Sequence, residues 1–430
     1  MRRYLPTLLL CGMLAAVCTS CEEINHTDPD HDTTKLWPAY DIATKKWGYI
    51  NEKGKMVIAA QYDEVHGFSC GYACVREDEQ IHYINRHGSI QFSTHTEYDA
   101  GYYQCRDFYY DYVVVLVDGG YNLMNRNFEY VLQPNVNVLP YSYLGDVSSN
   151  GLMRARDVYG LGHKNGYINT KGNIVIPHEY DNAQPFVDGY AMVCTDYFTD
   201  YCGVINAAGE EVIKEDQYKL SYLGGDMFAF RRMSDPGWGL LSAKGEILSN
   251  PAAKVKYEPA VDNELIGVSN TQRKFGYMDF GRNMKIDYQF DYVMPFYEGY
   301  AFVEVEEGDE DIVKVIDTKG KVVYTLPKWS EPETGFHNGL ALIVVEGDED
   351  YRCRYITPKG ETVYEWVLPD VINCAPVRRL AERYTANETP NPSMEADMTN
   401  TIEEFTAQTK HFSSARHGRR YAHKCDPYED

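Results

Sequence analysis

The sequence is short of positive charge, with 41 Lys plus Arg against 64 Asp plus Glu and a net charge of −23 over 430 residues. Nucleic-acid binding needs clustered cations to displace phosphate counterions, so no nucleic-acid partner is expected. No apolar run approaches the ~20 residues of a spanning helix. The chain has no H-E-x-x-H zinc motif and no Walker loop. Gly160-Leu161-Gly162 with Gly166 has the glycines of a phosphate cradle but lacks the helix that aims amides at phosphate. No catalytic residue is assigned, and an enzyme is not expected. Trp is scarce at 5 residues, whereas Tyr reaches 37 and Gly 34. That bias favours many short strands joined by turns over helical bundles.

The N-terminus addresses the compartment. Arg2 and Arg3 precede an apolar stretch from Leu5 to Val17, which ends in Cys18-Thr19-Ser20-Cys21. This has the length and order of a secretory signal. A small residue directly before Cys resembles the lipobox of bacterial lipoproteins, with Cys18 where that family usually has Leu. The resemblance implies cleavage before Cys21, acylation of Cys21, and anchorage to a membrane of the bacterial cell envelope, at the outer membrane or cell surface. Cleavage before Cys18, or an ordinary secretory signal, are the alternatives. Residues 1–20 then form the signal peptide. Residues 21–35 are too polar and acidic to bury a core and read as a flexible tether.

The body repeats. Lys46-Trp47-Gly48-Tyr49-Ile50-Asn51 returns as Asn165-Gly166-Tyr167-Ile168-Asn169, Cys202-Gly203-Val204-Ile205-Asn206, Trp238-Gly239-Leu240-Leu241-Ser242 and Phe275-Gly276-Tyr277-Met278-Asp279. Degenerate copies begin at Ile81, Tyr121, Val313 and Cys353. The residue after the aromatic falls at positions 48, 82, 122, 166, 203, 239, 276, 314 and 354. Gly54, Gly88, Gly172, Gly209, Gly245, Gly320 and Gly360 recur at a hairpin turn needing positive φ. A β-branched run follows, then Tyr-Asp or Phe-Asp (Tyr62-Asp63, Tyr180-Asp181, Phe290-Asp291), whose Asp is expected to close a turn on its own backbone. Aromatic-x-x-Gly-x-Ala then leads into a further strand, as from Phe68, Phe186, Phe296 and Phe336.

This pattern resembles the WG-repeat family over residues 36–370. Only Trp47 and Trp238 keep the Trp; Cys202, Phe275 and Cys353 replace it, which marks an apolar plug. A unit of about three strands cannot bury its faces alone, so neighbours must stack. The expected fold is all-β: about nine tandem three-stranded units stacked as an open β-solenoid or superhelix, or alternatively as one or two β-propeller-like discs. Residues 371–430 lack the repeat and read as a largely disordered tail.

Two local features stand out. Glu307-Gly308-Asp309-Glu310-Asp311 recurs as Glu346-Gly347-Asp348-Glu349-Asp350. Carboxylates at Asp309, Glu310, Asp311, Asp348, Glu349 and Asp350 would suit Ca²⁺, although they lack the spacing of a calcium loop, and a solvated turn that blunts strand pairing is the competing reading. Cys194 and Cys202 flank a short loop and are candidates for a disulfide. No other cofactor is expected. The functional expectation is a lipid-anchored, non-catalytic repeat surface that binds a protein or glycan. An envelope hydrolase acting on polysaccharide or peptidoglycan, and a structural spacer, are the alternatives.

Overall fold

The computed structural model describes residues 34–368, apart from residues 79, 96–105, 118–119, 133–140, 158–163, 196–200, 216–217, 261–263, 309 and 348–349. The expectations for Cys21, the tether and the tail therefore lie outside the described residues. Within them the chain forms nine antiparallel sheets in sequence order: one of three strands, one of two and seven of four. The expected three-stranded unit thus gains a strand in most copies. Sheet four is representative, with strands Tyr141–Leu144, Leu152–Asp157, Asn165–Asn169 and Ile174–Tyr180. All nine repeat positions found in the sequence fall on the third of these strands or its equivalent. The added strand is the first, often two residues long, as in Glu64–Val65, Asn182–Ala183 and Tyr292–Val293. It follows Asp63, Asp181 and Asp291 where a turn was expected. Two residues carry no readable alternation, which is why the pattern hid it.

Each repeated residue has a local physical task. Asn169 Oδ1 accepts the amides of Lys171 and Asn173, and Asn51 and Asn206 do the same in their turns. This Asx geometry shapes the hairpin, and Gly172 completes it at φ 79°. The Gly of the motif answers a different need. The fourth strand bulges against the third between Asn165 and Tyr167. A Cβ on Gly166 would lie 2.6 Å from the Ile176 carbonyl oxygen, and on Gly276 2.3 Å from that of Ile286. Aromatic-x-x-Gly is a tight turn with two positive φ values, as at Asp188 (48°) and Gly189 (85°).

Both faces of the central strands are buried, by different neighbours. In sheet three, Val113, Val115 and Met124 pack back on Tyr83 and Cys74 of sheet two. Val114 and Leu123 point the other way, onto Leu144, Met153 and Ile168 of sheet four. Similar clusters join every consecutive pair of sheets from two to nine. The last cluster is decisive for the architecture. It combines Trp37, Tyr40 and Trp47 of sheet one with Leu340, Leu342, Tyr355 and Trp366 of sheet nine. Trp37 Nε1 donates to the His337 carbonyl at 3.1 Å, and the Tyr364 hydroxyl to the Tyr40 carbonyl at 3.2 Å.

The turn glycines repeat this lesson. Built Cβ atoms on Gly88, Gly209 and Gly320 would touch Ile58, Ile176 and Ile286 on the last strand of the preceding sheet. Gly54 of sheet one meets Val363, on the fourth strand of sheet nine, in the same relation. Sheet nine therefore precedes sheet one as any sheet precedes the next. The all-β tandem array is as expected, and of its two candidate arrangements the contacts describe a single closed disc. An open array would leave Trp37, Tyr40 and Trp47 on a bare end face, a large apolar area to hydrate.

Candidate functional site

Much of the motif's chemistry is spent between sheets. The hydroxyl of Tyr49 donates to the His66 carbonyl at 2.7 Å, that of Tyr167 to Gln184 at 2.5 Å, and that of Tyr277 to Met294 at 2.7 Å. Each bond reaches the start of the next sheet. Tyr277→Phe is expected to lower the unfolding free energy by about 1–2 kcal/mol, the cost of stranding a part-buried carbonyl. Urea denaturation checks this, and an unchanged midpoint would refute a tie through that hydroxyl. Lys46, Lys164 and Lys274 each hold the repeat Asp (Asp63, Asp181, Asp291) at 2.5 Å. The other carboxylate oxygens of Asp63 and Asp291 accept the amides of Asp78 and Glu306 in the following sheet. The expectation that this Asp closes a turn on its own backbone is thus corrected: it links two sheets. The paired Lys lies a full hairpin earlier, so adjacency in sequence did not reveal it.

The acidic hairpin ends belong to sheets eight and nine. Glu310 pairs with Lys328 at 2.7 Å, Glu307 with Lys314 at 2.5 Å, and Asp350 with Arg352 at 3.2 Å. Asp311 is paired in register with Glu306. Asp309, Asp348 and Glu349 lie outside the described residues. Among the described residues no three His, Cys, Asp or Glu side chains converge as a metal set would. Cys194 and Cys202 are joined in a disulfide, with Cα atoms 4.7 Å apart. Trp47, Phe275 and Cys353 are buried, as an apolar plug would be, whereas Trp238 and Cys202 are half-buried and Cys202 is taken up by the disulfide.

Several buried or half-buried ionisable groups lie on or beside the first two strands of sheets two to four and seven to nine. In sheets two to four they are matched by cations. Arg76 Nε lies 3.4 Å from Glu64. His66, 1% exposed, donates from Nδ1 to Asp107 over 2.6 Å and faces Glu64 at 3.7 Å. Arg106 reaches the Leu144 carbonyl at 2.9 Å and Asp146 at 3.5 Å, and Arg154 reaches the Ala183 carbonyl at 2.7 Å. Beside His66 runs Gly67-Phe68-Ser69-Cys70-Gly71, the letters of G-x-S-x-G, which a reading by repeats passes over. The strand-to-helix elbow of that motif is replaced here by a hairpin turn. Ser69 Oγ donates to the Phe108 carbonyl at 2.5 Å, while His66 Nε2 is directed toward Glu64.

Sheets seven to nine differ. Glu258, Glu304 and Glu331 sit on three successive sheets with no ion pair among the described residues. Burial pushes Glu258 up to about 7. Burial, then the charges of Asp311, Asp291 and Glu331, pushes Glu304 up to about 8. Glu331 is raised by burial and by Glu346. Glu304 is 6% exposed, stands opposite Tyr292 in register, and its Oε2 has no hydrogen-bond partner among the described residues. None of these three was singled out in the sequence, because a Glu on a strand looks the same whether it faces water or a neighbour. Elsewhere on sheets seven and eight, an open recess of about 510 Å³ is lined by Leu265, Lys285, Thr318 and Lys319.

The profile of the WG containing repeat matches residues 47–80, 166–197 and 275–307. The chain carries WG repeats. These matches span sheets one to two, four to five and seven to eight, and they support placement among WG-repeat proteins. No curated protein is similar in sequence. Among solved structures, a eukaryotic initiation factor superposes with a TM-score of 0.51 at 10% identity, over 78% of this chain and 96% of that one. AztD from Citrobacter koseri gives 0.38 at 12% identity, over 79% and 96%. The C-terminal WD40 domain of Sif2 gives 0.32 at 7%, over 66% and 78%. At such identity the first likeness concerns the fold alone.

Proposed function

We propose that the chain is a lipid-anchored protein of the bacterial cell envelope whose WG-repeat disc binds a protein or glycan partner without catalysis. One observation carries this reading. The residues that recur from unit to unit are occupied in holding the disc together: Gly at the bulge, Asn in the turn, Tyr and the Lys–Asp pair between sheets. What varies is the connecting loops, where binding residues of repeat proteins are placed. Affinity capture from envelope extract with the acylated full chain tests the idea, with and without chelator. One specific protein or glycan retained through washing is the expected result, and chelator-sensitive capture would bring the acidic hairpins into the site. Steady turnover of an envelope polymer would reject a non-catalytic role.

The hydrolase reading keeps one specific support. Glu258, only partly buried and raised to about 7, has the protonation of a general acid near neutral pH. If that reading holds, Glu258→Gln abolishes peptidoglycan or polysaccharide cleavage. Absence of cleavage by the unmodified chain leaves the binding reading in front.

A further inference from the structure

Two buried polar atoms share the space between sheets eight and nine. Glu304 lies on Tyr300–Glu307, the second strand of sheet eight, opposite Val313 on the third. Ser330 begins Ser330–Pro332, the first strand of sheet nine, opposite Val345. Residues paired across an antiparallel sheet share a face. Val313 and Phe302 belong to the apolar cluster between these two sheets, and Val345 packs against it. Glu304 and Ser330 therefore face into one interface from opposite sides. Each is 6% exposed, and Glu304 Oε2 and Ser330 Oγ have no hydrogen-bond partner among the described residues. Such atoms are costly unless something meets their need.

The surroundings select what that is. Glu304 feels the charges of Asp311 across its hairpin, Asp291 before its first strand, and Glu331 beside Ser330. Glu346 adds its charge next to Glu331. Tyr292, opposite Glu304, stays neutral because burial raises it. The cations of this region are already held. Lys274 binds Asp291 at 2.5 Å, Lys314 binds Glu307 at 2.5 Å, and Lys328 binds Glu310 at 2.7 Å. On the facing side of sheet nine, Arg352 is held by Asp350 and Arg354 by Glu365. A cation for Glu304 then has to come from outside the disc. Ca²⁺ takes about six to eight oxygens, and among the described residues no three acidic, His or Cys side chains converge to supply them.

Depth decides the carrier. Glu306, two residues outward on the same face, is exposed, so Glu304 lies about 7 Å below the rim. The four-carbon stem of a lysine reaches that far. The ammonium of an amino sugar sits on its ring and does not. Trp329, directly before Ser330, is 53% exposed and offers apolar surface to such a stem.

We infer that Glu304 and Ser330 form a slot for the ammonium group of a lysine on a protein partner. The inference rests on the reading of the disc as a binding surface and names the partner's chemistry at one place. The ammonium donates to Glu304 Oε2 and Ser330 Oγ. Both atoms are shut from water in the free disc, so the rim side chains part as the stem enters. Binding also moves a proton. Burial and the neighbouring charges push Glu304 up to about 8, so it is protonated at neutral pH and gives its proton to solvent when the ammonium arrives.

The test titrates the full chain calorimetrically with Nα-acetyl-lysine amide. Affinity should rise about tenfold for each pH unit between 6 and 8, one proton leaving per ligand bound. Glu304→Gln keeps the shape, and should weaken binding about tenfold or more at pH 8 and flatten the pH dependence. Ser330→Ala should weaken it severalfold, and the Nε-acetylated probe should not bind. Binding of glucosamine as tight as that of the lysine probe would overturn the slot. No binding of the lysine probe would leave the two atoms to a bound water and overturn it too. An envelope partner captured equally well by the Glu304→Gln chain would also overturn the slot, while the binding role of the disc would stand.

Discussion

Gly54→Ala is expected to destabilise the protein far more than Gly151→Ala, although the two glycines have nearly the same backbone, φ 72° and 76°. Both substitutions put a Cβ into the left-handed region, costing about 1–2 kcal/mol. At Gly151 nothing lies within 4 Å of the new atom. At Gly54 it would sit 2.0 Å from the Val363 carbonyl oxygen, so sheets one and nine must move apart. The additional loss is expected to bring the total to about 3–5 kcal/mol, the range of severe core defects. Thermal melts give the ranking, and hydrogen exchange over Thr362–Leu368 shows where the damage lies. Equal losses at the two sites would mean that the first and last sheets do not meet.

Glu304→Gln is expected to stabilise the protein at alkaline pH and leave it unchanged near pH 5. Glu304 titrates in the folded state at about 8, above its ordinary 4.5. Between these values the folded chain holds a proton that the unfolded chain has lost. Stability from this group is therefore complete below pH 4.5 and falls as pH rises toward 8. Gln keeps the shape and removes the ionisation. A gain of about 2–4 kcal/mol at pH 8.5 is expected, since each tenfold change in proton affinity corresponds to about 1.4 kcal/mol. Glu258, also raised, preserves part of the slope. Urea unfolding at pH 5, 7 and 8.5 decides, and parallel curves for the two proteins would exclude Glu304 as the source. His337 works in the opposite sense. Burial lowers it to about 4, so its contribution is lost as pH falls from 6.5 toward that value.

What was legible in the sequence is what sterics demand at a single position. Gly166 and Gly172 cannot be replaced without a clash or a strained φ, so they recur, and with them the third strand of every sheet became visible. Relations between distant residues were not legible. Lys274 and Asp291 make sense as a pair only once the hairpin is folded. The closing cluster joins Trp47 to Trp366, and no local pattern announces such a contact. The buried acids were hidden for a related reason. Glu304 alternates correctly along its strand, but which neighbour covers that face depends on the next sheet. The expected Ca²⁺ carboxylates were easy to read because they are contiguous, yet Glu310 and Asp350 are each held by a cation of their own sheet or its neighbour.

The closing contacts also shape how the chain reaches its folded state. Elsewhere a bond between neighbouring sheets spans few residues, as with the 17 from Tyr277 to Met294. The bonds from Trp37 to His337 and from Tyr364 to Tyr40 span 300 and 324. Short loops close early and long ones late, so pairs of sheets should form locally and grow by addition, with the circle completed last. Until then the aromatic face of Trp37, Tyr40 and Trp47 is exposed. At high concentration, the sheet nine that reaches it first will sometimes belong to another molecule. Refolding yield should then fall with concentration, and the trapped species should be an interlocked dimer built from native contacts.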